Sequence, residues 1–302
     1  MYSNVRLPRT NKIFFSVDVP SHLAHYTRGS AFISICENGE LWAGRPNQMN
    51  DFKEQFHAIE KFLELARKKK GAAISEGEDE VVEYYELLEN DDVVDYVIAE
   101  MPNYVISLTS EPDLLSQWRA YCPRSGGYSI SIPTDHLNAA GNEQAFAIMP
   151  CVYKEEEVNV ILTEILDLYD EIFRVMIASG VAVPKAYDEI KDSMFGLVAF
   201  YGTFIKHESF QEEKEWRLAY LNRTHVDPKR LVFIEGEDGI RVFYKFKLKT
   251  DLCDPATAKP EFFVMVGPNA RIKAAQEPAE LVLEKLVGVG NAHVFATSST
   301  YR

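Results

Sequence analysis

Residues 211–217 read Gln-Glu-Glu-Lys-Glu-Trp-Arg, with Glu212, Glu213 and Glu215 placing three carboxylates within four positions. They run directly into Trp216-Arg217-Leu218-Ala219-Tyr220-Leu221, an aromatic and aliphatic stretch that predicts a strand. Side chains alternate on a strand, so Glu213, Glu215 and Arg217 are expected on one face and Lys214, Trp216, Leu218 and Tyr220 on the other. Two carboxylates sharing a face beside a buried sheet raise the pKa of at least one unless a cation intervenes. That chemistry suits general acid–base work, stabilisation of a cationic transition state, or a divalent metal. A solvated turn with Glu213 and Arg217 as a surface ion pair accounts for the same residues without chemistry.

Other reactive types give weaker patterns. Cys36, Cys122, Cys151 and Cys253 lie far apart with no metal-ligand spacing and read as free thiols of a reducing compartment. The seven histidines form no HxH or HxxxH pair. The formal net charge of −14 argues against a broad phosphate-tracking surface, though not against a local basic cleft. Residues 1–19 lack the long apolar core of a signal peptide, and no run reaches the roughly 20 apolar residues that span a bilayer, so a cytoplasmic protein is expected without a membrane partner.

The elements that must position these residues follow from periodicity. An irregular arm is expected over 1–20, then a strand at His22–Thr27, a helix opened by Gly29-Ser30 and stopped at Asn38-Gly39, and a strand at Glu40–Gly44. The polar loop from Arg45 to Asp51 is long enough to hold a ligand. Helices are predicted at about 52–69, where the run Arg67-Lys68-Lys69-Lys70 closes the helix, and at 79–100, with a linker at 71–79. Tyr104–Thr109 and Tyr128–Ile132 alternate as strands, with a short helix or turn at Leu114–Tyr121 between them. A strand at 145–153, two helices at about 155–178 and 184–207, strands at 231–235, 239–248 and 261–266, a helix to about 287 and a strand at 292–297 complete the chain. Strands at both ends with helices between predict one α+β domain over 21–302, with a helical insertion at about 155–207.

With these residues in place, the sequence resembles an uncharacterised bacterial domain family. The resemblance spans 22–302 and rests on His25-Tyr26-Thr27, Gly39-Glu40-Leu41-Trp42, Asn50-Asp51, Leu115-Ser116-Gln117-Trp118-Arg119-Ala120-Tyr121, Glu213-Lys214-Glu215-Trp216-Arg217 and Val266-Gly267-Pro268. A looser resemblance links the opening strand, helix, Asn-Gly turn and second strand to ADP-ribosyltransferases, including bacterial toxins that modify nucleic acids. It implies a split, mixed or antiparallel sheet with flanking helices and NAD as substrate. Carried over by position, His25 hydrogen-bonds the adenosine-side ribose and Thr27 meets the nicotinamide amide or nearby backbone, with Tyr26 beside them. Trp118, Tyr121 or Tyr128 stacks on nicotinamide, with Trp118 also readable as plain core. Glu215 becomes the catalytic carboxylate, with Glu213 completing a Glu-x-Glu pair. Arg28, Arg45 and Arg119 are the candidates for the diphosphate, and Arg119 is also readable as an ion-pair partner of the late strand.

Three functions follow as expectations. The leading one is an NAD-consuming ADP-ribosyltransferase-like enzyme, metal-independent, of the toxin or phage-defence kind, with a protein or nucleic-acid acceptor. The second is a non-catalytic module binding a nucleotide or partner through the same cleft. The third is a hydrolase or nuclease in which Glu213, Glu215 and Asp51 hold a divalent metal. Substrate gating or self-association through 155–207 is an open expectation.

Overall fold

A computed structural model describes residues 7–46, 52–100, 104–122, 126–222, 226–236, 239–248, 261–269 and 271–299. In chain order the elements are α1 (Pro8–Phe15), β1 (His22–Thr27), α2 (Gly29–Asn38), β2 (Glu40–Gly44), α3 (Phe52–Glu76), α4 (Asp79–Asn90), α5 (Val93–Glu100) and β3 (Val105–Thr109). Next come α6 (Leu115–Tyr121), β4 (Tyr128–Pro133), α7 (Thr134–Glu143), β5 (Phe146–Pro150), α8 (Glu155–Ala178) and α9 (Val183–Gly202). The chain closes with β6 (Glu215–Tyr220), β7 (Leu231–Gly236), β8 (Gly239–Lys247), β9 (Phe262–Val266), α10 (Ile272–Val287) and β10 (Ala292–Ala296). The fold is α+β. Two compact units are distinguished, one built from Met1–Val17, Pro46–Asn103 and Cys151–Gln211, the other from Asp18–Arg45, Tyr104–Pro150 and Glu212–Arg302.

The first unit is helical. Ile59, Phe62 and Ala66 of α3, Tyr84, Tyr85 and Leu88 of α4, Ile161, Ile165, Tyr169 and Phe173 of α8, and Met194, Phe195 and Val198 of α9 are buried at the spacing of single helix faces. Three sequence expectations change here. The stretch expected as an irregular arm contains α1, because Pro8 presets the first turn and Glu164 of α8 accepts from the Arg9 and Thr10 backbone N–H groups at 3.0 and 2.7 Å. The expected stop after residue 69 is absent: α3 runs on to Glu76, and the basic run docks on acids, with Lys69 Nζ 2.9 Å from Asp167 and 2.7 Å from Asp170. Conversely, the helix expected over 79–100 is interrupted between Asn90 and Val93, where the Asp91 carboxylate accepts from the Asp92 N–H.

All ten described strands lie in the second unit and form one mixed sheet, antiparallel except for β9 and β10, which are joined through α10. Its order is β10-β9-β4-β1-β3-β2-β8-β7, with β6 paired to β3 and β5 to β6. The period-2 pattern sets its two faces. Leu23, Ile106, Leu108, Ile130, Ile132, Trp216, Leu218, Tyr220 and Phe246 pack in one cluster with Phe32 of α2, Leu137 of α7 and Leu283 of α10. Each large side chain so buried contributes roughly 1.5–3 kcal/mol. By register the opposite face carries Tyr26 on β1, Ser129 and Ser131 on β4, Ser107 and Thr109 on β3, and Glu215 and Arg217 on β6. Helix α7 went unread in the sequence.

Strand β3 is unevenly paired. It meets β6 over five residues, Val105↔Ala219 to Thr109↔Glu215, but β1 only at Ala24↔Thr109 and β2 only at Gly44↔Val105. The sheet therefore opens between β1 and β3. Among the described residues no helix is long and apolar enough to cross a membrane.

Candidate functional site

The opening between β1 and β3 leads into a pocket of about 50 Å³ lined by Ala24, His25, Tyr26, Ser107, Leu108, Thr109, Gln117, Tyr121, Glu213 and Glu215. His25 and Glu215 thus both border this pocket although 190 positions separate them in sequence, His25 from the face that the register shares with Leu23 and Ile130 and Glu215 from the other. Five of the sequence-derived site residues line the pocket: His25, Tyr26, Tyr121, Glu213 and Glu215.

Glu215 is 5% exposed. It opens β6 opposite Thr109, and its two oxygens accept from Arg217 Nε at 2.9 Å and Nη2 at 3.2 Å. Arg217, the next residue on the same face, supplies a cation to this carboxylate: the two form an ion pair. Glu213 is not on the strand. It ends a 3₁₀ turn at Glu208–Glu213, and Lys214 between the two glutamates has a left-handed backbone, φ 42°. Simple alternation through 213–217 thus fails at Lys214. Thr109 Oγ1 donates to the Glu213 carbonyl at 2.6 Å, and the Ser110 N–H donates to the Lys214 carbonyl at 3.3 Å, fixing this turn against the end of β3.

His25 Nδ1 lies 3.1 Å from the Ser107 carbonyl across the strand opening. A carbonyl only accepts, so Nδ1 carries the proton and Nε2 of the neutral ring is a bare acceptor. Burial holds the imidazole pKa below its ordinary value, opposed by the Ser107 hydrogen bond, which keeps that tautomer at neutral pH.

Tyr26 serves the site from beneath. Its hydroxyl donates to the Glu111 carbonyl at 2.8 Å and accepts from the Leu114 N–H at 2.7 Å, pinning the chain just ahead of α6, and burial raises its pKa. Trp118 packs edge-on against the Tyr26 ring at 4.6 Å, has no solvent exposure, and donates from Nε1 to Asp113 at 2.8 Å. It is core, as one of its sequence readings had it, and it offers no face to a nicotinamide ring. Tyr128 stacks on Phe32 at 4.4 Å, on the α2 side of the sheet. Of the three aromatics proposed for ring stacking, Tyr121 alone lines the pocket, and it is 41% exposed.

The remaining assignments do not converge there. Thr27 is buried at the end of β1, with its carbonyl accepting from Cys122 Sγ at 3.5 Å. Arg28, Arg45 and Arg119 are exposed, and Arg45 lies over the Tyr104 ring at 5.7 Å. None of these four lines the pocket. The loop 47–51, including Asn50 and Asp51, lies outside the described residues, as does Cys253; Cys36, Cys122 and Cys151 are free and buried. Among the described residues no group of three or more His, Cys, Asp or Glu side chains is placed to hold a metal ion. Sequence reasoning passed over Ser107, Thr109 and Gln117. The first two sit on the Glu215 side of β3 by alternation, and Gln117 lies one turn before Tyr121 on α6.

Against known proteins, residues 117–218 match a family described as protein of unknown function (DUF2971), over about a third of the chain. The matched segment carries Gln117, Tyr121, Glu213, Glu215 and Arg217 but not the β1 strand with His25. The resemblance to a family of uncharacterised function is thereby shown for that stretch. No curated protein and no solved structure matches.

Proposed function

We propose that the protein is an NAD-consuming enzyme of the ADP-ribosyltransferase kind. The observation that carries the reading is the convergence of His25 and Glu215 on one pocket at the opening between β1 and β3, with Tyr121 at its rim. Cleavage of the nicotinamide–ribose bond builds positive charge on the ribose as the ring departs. A carboxylate fixed beside a ribose hydroxyl stabilises that oxocarbenium-like state, and Glu215, held in orientation by Arg217, is the group for it. The bare Nε2 of His25 accepts from a ribose hydroxyl, and the exposed Tyr121 ring supplies an aromatic wall.

The test is nicotinamide release from NAD by the purified chain, alone and with cell extract, for wild type and Glu215→Gln. Release that falls about 10²–10³-fold in the variant is expected, a typical effect of removing one transition-state-stabilising group. Equal release from both proteins overturns the assignment. Extract-dependent label transfer from NAD identifies a protein or nucleic-acid acceptor, whereas release without transfer identifies water.

A second reading, a non-catalytic nucleotide-binding module, is favoured by one feature: both oxygens of Glu215 are already engaged by Arg217. NAD raising the melting temperature of wild type without any nicotinamide release selects it.

A further inference from the structure

Gln117 is 6% exposed, lines the pocket, and its amide makes no hydrogen bond among the described residues. Its neighbours are spoken for: Trp118, the next residue, turns the other way into the Tyr26 cluster, and Tyr26 anchors the start of the helix. The Gln117 amide nitrogen and oxygen are not fully enclosed, so they face the open space of the pocket, where a ligand or water can pair with them. Gln117 and Tyr121 are separated by four positions, so α6 presents them on one face, the amide inside and the half-exposed ring at the mouth.

We infer that Gln117 is the specificity-determining residue of this pocket and that it reads a primary carboxamide carried on a planar ring. An amide side chain offers one acceptor and one donor in a plane, which a second carboxamide matches with two parallel hydrogen bonds. Size agrees. A cavity of about 50 Å³, where roughly 10–15 Å³ admits one water, takes the three heavy atoms of a carboxamide and not the ring behind them. The ring then lies at the mouth against Tyr121. A carboxylate in the same place loses the donor half of the match and meets Glu213 and Glu215. The inference rests on the NAD reading above and adds to it which end of the dinucleotide enters the pocket and which residue selects it.

The experiment measures binding of NAD and of nicotinic acid adenine dinucleotide, which differs only by carboxylate for carboxamide. Calorimetry on wild type and on the near-isosteric Gln117→Met gives four affinities. Wild type is expected to favour NAD by roughly ten- to a hundredfold, and Gln117→Met to lose NAD affinity and most of the discrimination. Wild type binding both dinucleotides equally overturns the inference without any variant, as does Gln117→Met discriminating as sharply as wild type. Neither result touches the NAD reading. Failure of wild type to bind NAD at all removes both.

Discussion

Two glutamates are equally hidden and each pairs with an arginine, but they differ in what else surrounds them. Glu164, in the helical unit, is 6% exposed and spends its oxygens on the Arg9 and Thr10 backbone N–H groups and on Arg9 Nε. It caps a helix from a distance, and against the cost of burial those hydrogen bonds hold its pKa below the usual carboxylate range. Glu215, in the strand-bearing unit, is 5% exposed and paired with Arg217, but its surroundings include an amide without a partner, a neutral imidazole with one bare nitrogen and a second carboxylate. Burial alone therefore does not identify a site. A buried charge whose oxygens are spent on backbone N–H groups holds the fold together, and one that borders a pocket is positioned for a ligand.

The largest expected effect separates the two. Glu215→Gln lowers nicotinamide release about 10²–10³-fold, while Glu164→Gln leaves the rate per folded molecule unchanged. The reverse holds for stability. Glu164→Gln places an NH₂ against N–H donors and is expected to cost roughly 1–3 kcal/mol, read as a lower midpoint in urea. Loss of rate in Glu164→Gln at full folding would mean that the helical unit takes part in the reaction.

A smaller effect distinguishes them by pH. His25 and His136, in the strand-bearing unit, have folded pKa values lowered mainly by burial. Their contribution to stability is whole above the ordinary histidine value and is lost as pH falls through the depressed folded value. Glu164 and Asp167, in the helical unit, are likewise lowered, but from the carboxylate range, so their contribution is lost only at more acid pH. Stability against pH should fall in two stages. His57 of the helical unit is lowered too, by burial and by His207, and titrates in the first stage, so the variant is needed to apportion it. Urea midpoints from pH 7.5 to about 2 should show a shallower first stage in His25→Gln and an unchanged second stage. An identical first stage would show that the His25 ring is as well solvated as in the unfolded chain.

How much of this was legible in the sequence depends on the range of the interaction. The alternation of Tyr104–Thr109, Tyr128–Ile132 and Trp216–Tyr220 is local, and it is enough for all three strands and, in the last, for the inward face. The approach of His25 and Glu215 to one pocket is not local. It depends on β3 pairing fully with β6 but at one residue with β1, which no spacing encodes, and it entered only through a resemblance. Helix α3 was cut short because Gly71 reads as a break, whereas ion pairs from Lys69 and Lys70 to other helices hold it. Gln117 was missed for a different reason: a single glutamine has no pattern. Its signal was the four-residue step to Tyr121, visible once 115–121 is taken as a helix with a face.

The smallest effect concerns the turn that brings two carboxylates to one pocket. Lys214 holds φ 42° and its ammonium pairs with Glu111, both side chains well exposed. A left-handed backbone costs a non-glycine residue about 1–2 kcal/mol. Lys214→Gly removes that cost and adds about 0.5–1 kcal/mol of backbone entropy, while a surface pair worth about 0–1 kcal/mol is lost. The terms nearly cancel, so stability should stay within about 1 kcal/mol of wild type with nicotinamide release preserved. Lys214→Val is the contrasting case, because a β-branched residue resists this conformation and favours the extended one. Extending residue 214 restores the alternation that the sequence led one to expect and turns the Glu213 backbone away from Thr109 Oγ1. Lys214→Val should therefore be less stable than Lys214→Gly, by roughly 1–2 kcal/mol, and should lose rate where the glycine variant does not. Equal behaviour of the two variants would mean that Glu213 reaches the pocket without help from the left-handed turn, and that the Thr109 hydrogen bond alone holds the segment in place.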